Sequence, residues 1–149
     1  MVQVTLRIQA PVEEVFAVLA DGWLYASWVV GASHIRGVDD EWPQVGARIH
    51  HSVGPWPLTI QDTTAVRAVD PPFGIELDAR LWPFGAAVVR LELRATGPAA
   101  CEVVMSERAV RGPGRLLPHA VQTLVLTPRN RESLSRLADI AVGRHQAAP

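Results

Sequence analysis

Lysine is absent from this 149-residue chain, and all fourteen basic residues other than histidine are arginine. The absence excludes Schiff-base catalysis, a lysine-anchored pyridoxal cofactor and a phosphate-loop lysine, because each of these requires the ε-amine. Cys101 is the only cysteine, which excludes an internal disulfide and a structural zinc site built on several thiolates. Nothing in the cysteine content requires an oxidising compartment.

Motifs of several enzyme classes are also missing. The chain has no G-x-S-x-G elbow, phosphate-binding glycine loop, dinucleotide fingerprint, H-E-x-x-H segment or EF-hand loop. Gly112-Pro113-Gly114 is glycine-rich, but proline lacks the N–H that a phosphate cradle requires. His50 and His51 are neighbours on a predicted strand and point to opposite faces, which prevents joint binding of one metal. We therefore expect no cofactor and no metal.

Charge and hydropathy limit the partners and the location. The net charge of −1 predicts neither a nucleic-acid nor an anionic-membrane partner, since both draw affinity from a basic surface. The start, VQVTLRIQAP, alternates in polarity, unlike a signal peptide. No apolar run approaches the roughly 18–20 residues that cross a bilayer. We expect one domain over residues 1–149, in the cytoplasm, with the oligomeric state open.

Apolar periodicity predicts strands in the first two thirds of the chain. Residues 2–8 alternate strictly and predict a strand, and apolar residues at helical spacing after Pro11 predict a first helix. The aromatic segment 23–28 predicts a second short helix. Six more strands are predicted at residues 33–38, 46–53, 58–69, 73–82, 86–96 and 101–110. Their short spacers favour antiparallel hairpins.

The last third of the chain predicts one long helix. Leu117, Val121, Leu124 and Val125 recur at helical spacing. The spacing resumes beyond Pro128, so either the helix bends there or Thr127 caps a second segment. We favour a single bent helix, and expect residues 144–149 to fray.

This order of elements, with Ala10-Pro11 opening the first helix and Val69-Asp70-Pro71-Pro72 ending a middle strand, resembles the START-domain and birch-pollen-allergen (SRPBCC) superfamily. The segments WPQVGARIHHSVGPWPL and PRNRESLSRLADIA are similar to its polyketide cyclase/dehydrase-like branch. The resemblance covers essentially the whole chain. It implies an α+β helix-grip fold, in which a curved seven-stranded antiparallel sheet wraps a long C-terminal helix and two short helices follow the first strand.

The resemblance also implies a cavity for a hydrophobic molecule between the sheet and the long helix. Members of the superfamily bind lipids and hormones, close polyketide rings or assist other proteins, so the fold does not supply a reaction. Large aromatic residues near the loops either line such a cavity or plug it.

His51 and Asp62 are two candidates for acid–base chemistry. By parity with Ile49 and Val53, His51 faces inward, where its near-neutral pKa suits proton transfer or a hydrogen bond to a ligand. The alternative is a histidine satisfied inside the core. Asp62 sits within a predicted strand, with the same two interpretations open.

Glu107 is the third catalytic candidate. It shares parity with Val103 and Met105 and therefore lies near the inner face at the end of a strand. A buried carboxylate needs a partner or a raised pKa. The alternative, which we favour, is an ion pair with Arg111, Arg115 or an arginine of the long helix.

Candidate ligand-contacting residues face inward or lie near the ends of elements. Trp42 and Trp82 are better explained as plugs. His119, early in the long helix, is a candidate for a ligand's polar end or an exposed capping residue. Arg129 and Arg131 could clamp a carboxylate, but surface pairing with Glu132 or Asp139 is the simpler expectation. The predicted ligand-contacting set is Tyr25, Trp28, His51, Trp56, Leu77, Leu91, Met105 and His119.

Three functions fit these observations. The first is a non-catalytic carrier or sensor of a small hydrophobic molecule, and the second is a cyclase- or dehydratase-like enzyme acting on a polyketide-like substrate. The third is a protein-interaction module with a filled cavity. An acid and a base that converge in one pocket would favour the enzyme. A uniformly apolar pocket would favour the carrier, and a filled cavity beside an exposed apolar patch would favour the interaction module.

Overall fold

A computed structural model describes residues 1–53, 57, 60–81 and 85–148. The described chain forms one seven-stranded sheet and three α-helices. The strands are β1 (Val2–Ile8), β2 (Ala32–Val38), β3 (Arg48–Val53), β4 (Ile60–Asp70), β5 (Gly74–Leu81), β6 (Gly85–Gly97) and β7 (Ala100–Arg111). The helices are α1 (Val12–Leu19), α2 (Tyr25–Trp28) and α3 (His119–Ala147), with 3-10 turns at Gly22–Leu24 and Pro113–Leu116.

All neighbouring strands in the sheet are antiparallel. Their order is β1-β7-β6-β5-β4-β3-β2, so the first strand joins the last and β2 forms the other edge. Within the described residues, the strand boundaries predicted from sequence differ from the observed ones by no more than two residues. The predicted strand residues 58, 59 and 82 lie outside the described residues. The helix-grip prediction is confirmed: the curved sheet wraps α3, and α1 and α2 follow β1.

The core lies between the concave face of the sheet and the helices. Alternate residues of each strand point inward, as the strand period requires, and the C-terminal half of α3 adds Leu134, Leu137 and Ala141. The chief neighbours of α3 are β1, β7, α1 and α2. The helix therefore approaches the sheet backbone most closely at the side formed by β1 and β7.

The N-terminal half of α3 differs from the amphipathic pattern that the sequence suggested. Leu117, Val121, Leu124 and Val125 are exposed. At about 100° per residue, the positions that continue the buried stripe of Asn130 and Leu134 are taken by half-buried side chains, Thr123, Leu126 and Thr127, and the exposed apolar residues lie on the opposite side. The helix thus has a second, exposed apolar face before Pro128, which lies inside a continuous helix. The two-segment alternative is excluded.

The end of α3 lies in the segment 144–149, for which the sequence predicts fraying. The helix extends to Ala147, and residue 149 lies outside the described residues. His145 Nδ1 lies 3.1 Å from Glu14 Oε1 on α1, and this contact links the helix terminus to the N-terminal part of the chain. A long-range contact of this kind gives a terminal segment a fixed position that composition alone does not predict.

Candidate functional site

The middle of the concave face is a band of small side chains. Thr64 on β4 pairs with Ala79 on β5, which pairs with Ala87 on β6 and then with Ala109 on β7. The adjacent row is bulkier, with Leu77 and Val89 at corresponding positions of β5 and β6. Thr64, Ala79 and Ala87 are buried even though they are small, so other parts of the protein shield the region above them from solvent.

His51 lies at the edge of this band and is 1% exposed. Its Nε2 is 2.8 Å from Thr64 Oγ1, and its ring stacks on Tyr25 with centroids 5.5 Å apart and an interplanar angle of 26°. The other ring nitrogen, Nδ1, is buried and has no hydrogen-bond partner among the described residues. Buried polar atoms are nearly always paired, so Nδ1 is available for a hydrogen bond to a group other than the described residues. The Ser52 backbone also acts on the ring and raises its pKa, against the effect of burial.

Tyr25, Thr64 and His51 form a hydrogen-bonded chain. Tyr25 Oη is 3.2 Å from Thr64 Oγ1, the same oxygen that contacts His51. When Tyr25 donates to Thr64 and Thr64 donates to Nε2, the free Nδ1 carries the proton. When the direction reverses, Nδ1 is an acceptor and the Tyr25 hydroxyl is free to donate. The three groups therefore present one acceptor and one donor in either direction.

Burial keeps this chain neutral. Desolvation lowers the pKa of His51, and the nearby Asp62 carboxylate only partly opposes that effect. Burial also raises the pKa of Tyr25, with the hydrogen bond from Thr64 acting in the opposite direction. At neutral pH the imidazole is therefore unprotonated and the phenol protonated, which are the states needed to accept and donate a proton.

A second polar cluster joins β7 to α3. Arg129 Nη1 donates to both carboxylate oxygens of Glu107, at 3.1 and 3.3 Å, and Asn130 Nδ2 donates to Glu107 Oε2 at 3.1 Å. Arg129 Nε also donates to the Val30 carbonyl at 3.0 Å. Glu107 is therefore engaged in a buried ion pair with a helix arginine, as the sequence-based alternative proposed. The expected pairing of Arg129 with Glu132 or Asp139 is wrong.

The predicted ligand-contacting residues do not all come together. Trp28 is buried and packs edge-on against Tyr25, with centroids 5.7 Å apart. Asp62 is half-buried and pairs with His51 across β3 and β4. The exposed His119 lies outside this group, with Nε2 3.2 Å from the Met1 carbonyl oxygen. Leu77, Leu91 and Met105 are buried on the concave face, whereas Trp56 and Trp82 lie outside the described residues.

Sequence reasoning missed Thr64, Asn130 and Ser133. Thr64 shares strand parity with Asp62 and Val66, so the period-two pattern could have placed it on the inner face. Asn130 and Ser133 belong to the helical stripe that includes Leu134, but polar residues in such a stripe are easily read as surface. In the structure, Ser133 Oγ accepts a hydrogen bond from the Val30 backbone N–H at 3.1 Å.

Three other features bear on the chemistry of the site. Within the part of the chain that the structure describes, no three His, Cys, Asp or Glu side chains gather as metal ligands. The thiol of Cys101 is buried, and burial raises its pKa. None of the described helices is long and apolar enough to span a bilayer.

The architecture is that of a START-like domain of the SRPBCC superfamily. The sequence matches the family model described as polyketide cyclase/dehydrase and lipid transport over residues 1–142. The chain belongs to that family. No curated protein matches the sequence.

Solved structures share the fold at low sequence identity. The Zhui aromatase/cyclase from Streptomyces sp. R1128 is 18% identical with a TM-score of 0.72, covering 98% of this chain and 95% of its own. A START superfamily protein from Mycobacterium smegmatis is 17% identical with a TM-score of 0.67, covering 97% and 96%. Ara h 8.0201 is 13% identical with a TM-score of 0.67, covering 95% and 96%. These similarities show the fold alone.

Proposed function

We propose that the protein binds a small, largely apolar molecule against the concave face, with one polar group of the ligand hydrogen-bonded to His51 Nδ1. The single observation that carries this proposal is the unpaired, buried imidazole nitrogen beside a band of small side chains. The role is that of a carrier or sensor, and the family's described involvement in lipid transport supports it.

The shape of the concave face supports the proposal. Thr64, Ala79 and Ala87 form one cross-strand row of small side chains on the concave face, next to the bulkier row of Leu77 and Val89. The main contacts of α3 are with β1, β7, α1 and α2, not with β4 and β5. Small residues that are buried, but lie away from the principal helix, fit a site that encloses an apolar ligand.

The hydrogen-bonding groups of His51 and Tyr25 require a polar group on the ligand. A neutral imidazole accepts or donates one hydrogen bond at Nδ1, and the Tyr25 hydroxyl supplies the opposite function when the chain reverses. A hydroxyl, phenol or carbonyl group fits this arrangement. A hydrocarbon with no polar group would leave Nδ1 unpaired, which costs about 1–3 kcal/mol.

The first test is to fill the band. Ala87→Leu places a bulky side chain on the concave face, whereas Ala68→Leu makes the same change at an exposed position on β4. With an anilinonaphthalene sulfonate dye as the probe, we expect Ala87→Leu to weaken binding at least about tenfold, because the new side chain occupies the ligand's volume. The Ala68→Leu variant should bind like the wild type. Equal dye binding by both variants would refute the location of the ligand site on the concave face.

The hydrogen-bonded chain favours an enzyme as the second candidate function. Nδ1 would remove a proton from the carbon beside a ligand carbonyl, and the Nε2 proton would pass to Thr64 Oγ1. The Thr64 hydroxyl proton would pass to Tyr25 Oη, whose own proton would reach the carbonyl oxygen and complete an enol. These four proton transfers leave the net charge of the protein and of the ligand unchanged.

Thr64→Val separates the two candidate functions, because it interrupts the chain while keeping a side chain of similar size. With a β-diketone probe in deuterated water, an enzyme should accelerate exchange at the acidic carbon, and the variant should lose most of that acceleration. A carrier should bind the probe without accelerating exchange. Native mass spectrometry of the purified protein would then identify any molecule that it retains.

A further inference from the structure

We infer that the outward side of the N-terminal half of α3 docks on an anionic lipid surface. The relevant surface, called here the outward stripe, consists of Val121, Leu124 and Val125 of α3 and of Leu117, which lies just before the helix. The inference concerns a partner surface and stands apart from the proposed ligand site, which lies on the concave side of the sheet.

The outward stripe is apolar where a surface helix is normally polar. Leu124 is 75% exposed and Val125 is 59% exposed. Between Arg115 and Arg129 the chain contains no Asp, Glu or Arg. A helix face with contiguous exposed aliphatic side chains and no charge gains free energy when it leaves water.

The charged residues of the segment 108–131 are all basic. The acidic residues that flank the segment are already paired, Glu107 with Arg129 and Glu132 with Arg136. Residues 108–131 include five arginines and no Asp or Glu. Two of these arginines have carboxylate partners, since Arg111 pairs with Asp78 and Arg129 with Glu107. Arg115 precedes the stripe and Arg131 follows it, and both are exposed. The chain's net charge of −1 therefore conceals a local basic region, which is what an anionic surface attracts.

The composition of the outward stripe favours lipid over a protein partner. Protein interfaces are anchored by aromatic residues and arginine at their centres, whereas Leu and Val are under-represented among the residues that carry binding energy. The centre of this stripe has neither an aromatic residue nor a charge that would fix the register of a protein partner. A bilayer interface requires no register and accepts aliphatic side chains.

The geometry implies shallow contact, not insertion across the bilayer. The inward side of the same helical segment carries Thr123 and Thr127, which are half-buried towards the protein. The C-terminal half of α3 is held in the core by Leu134 and Leu137. Only the outward stripe can enter the headgroup region, with the flanking arginines at the level of the phosphates.

Vesicle flotation tests the inference. We expect the wild-type protein to float with vesicles of phosphatidylcholine and phosphatidylglycerol, and to remain unbound with phosphatidylcholine alone. The double variant Leu124→Gln with Val125→Gln should lose about a hundredfold in partitioning, since each aliphatic side chain returned to water costs about tenfold. The matched control is Val45→Gln, which alters a 64% exposed valine elsewhere and should change nothing.

Charge and oligomeric state complete the test. Arg115→Gln and Arg131→Gln should each reduce partitioning about fivefold, and high salt should reduce it for the wild type. Failure of the wild type to bind anionic vesicles would overturn the inference. It would also be overturned by a dimer, seen by sedimentation without vesicles, that the double variant converts to a monomer.

A labelled variant guards against loss of folding in the double variant. Cys101 is buried, so Leu124→Cys introduces the one accessible thiol of the described chain. An environment-sensitive fluorophore on that thiol should shift to shorter wavelength when anionic vesicles are added. The same fluorophore on Val45→Cys should not shift. Identical spectra with and without vesicles at position 124 would contradict lipid contact.

Discussion

Removing the charge of Glu107 is expected to destabilise the fold through the arginine that it leaves behind. Glu107 is 1% exposed and the Arg129 side chain is 19% exposed. Glu107→Gln keeps the shape of the side chain but replaces one acceptor oxygen with a donor, opposite Arg129 Nη1 and Asn130 Nδ2. The guanidinium then lacks its counter-charge in a largely dry environment.

Breaking a buried ion pair by removing one partner costs about 3–5 kcal/mol. Because Arg129 retains some exposure and its bond to the Val30 carbonyl, water and that carbonyl compensate in part. We therefore expect Glu107→Gln to lower the free energy of unfolding by about 2–3 kcal/mol. Urea denaturation followed by tryptophan fluorescence measures this difference, with Glu102→Gln, a change at a more exposed carboxylate on β7, as the control.

A double-mutant cycle tests the cause. Arg129→Met removes the orphaned charge, so the variant with both Glu107→Gln and Arg129→Met should be more stable than the sum of the two single changes implies, by at least about 1 kcal/mol. If the two effects add, the arginine is not the reason for the loss. The interpretation of the cluster as a coupled buried pair would then be wrong.

Three further changes have expected outcomes. His51→Phe keeps the stack on Tyr25. Because burial lowers the pKa of His51, the free energy of unfolding of the wild type should decrease as the pH drops below about 6.5, by at most about 1.4 kcal/mol per pH unit. Urea titrations should show that the variant lacks this part of the pH dependence. Gly85→Ala should cost at least about 2 kcal/mol in the same assay, because Gly85 has φ of 107° and an added Cβ would meet the Arg111 carbonyl. Trp42→Phe should cost about 1 kcal/mol through loss of the bond from Nε1 to the Leu19 carbonyl, and a midpoint equal to the wild type would refute that role.

The fold followed from periodicity because strands and turns alternate regularly along the chain. Residues 2–8 and the strand β7 have one buried face, so the alternation of apolar residues in the sequence directly reflects the alternation of burial. The same reasoning was incomplete for α3, where spacing predicts a helix but not which side of it faces the sheet. The apolar residues before Pro128 therefore looked like core residues although they face solvent.

The candidate site was less predictable because it depends on contacts between distant residues. Strand parity places His51 on the inner face, but nothing local indicates that Thr64 and Tyr25 are its neighbours. Likewise, the sequence shows that Glu107 needs a partner without choosing among the arginines. Arg129 is the partner because α3 crosses β7 at that point.

The pairing of β1 with β7 has a consequence for how the protein is made. Val2 pairs with Glu107, about a hundred residues further along the chain. β1 is therefore synthesised well before β7, its neighbour in the described sheet. Contacts between such distant segments slow folding and leave a strand edge open in the meantime. A nascent chain that stops before β7 is therefore expected to aggregate or be degraded instead of forming a smaller stable unit.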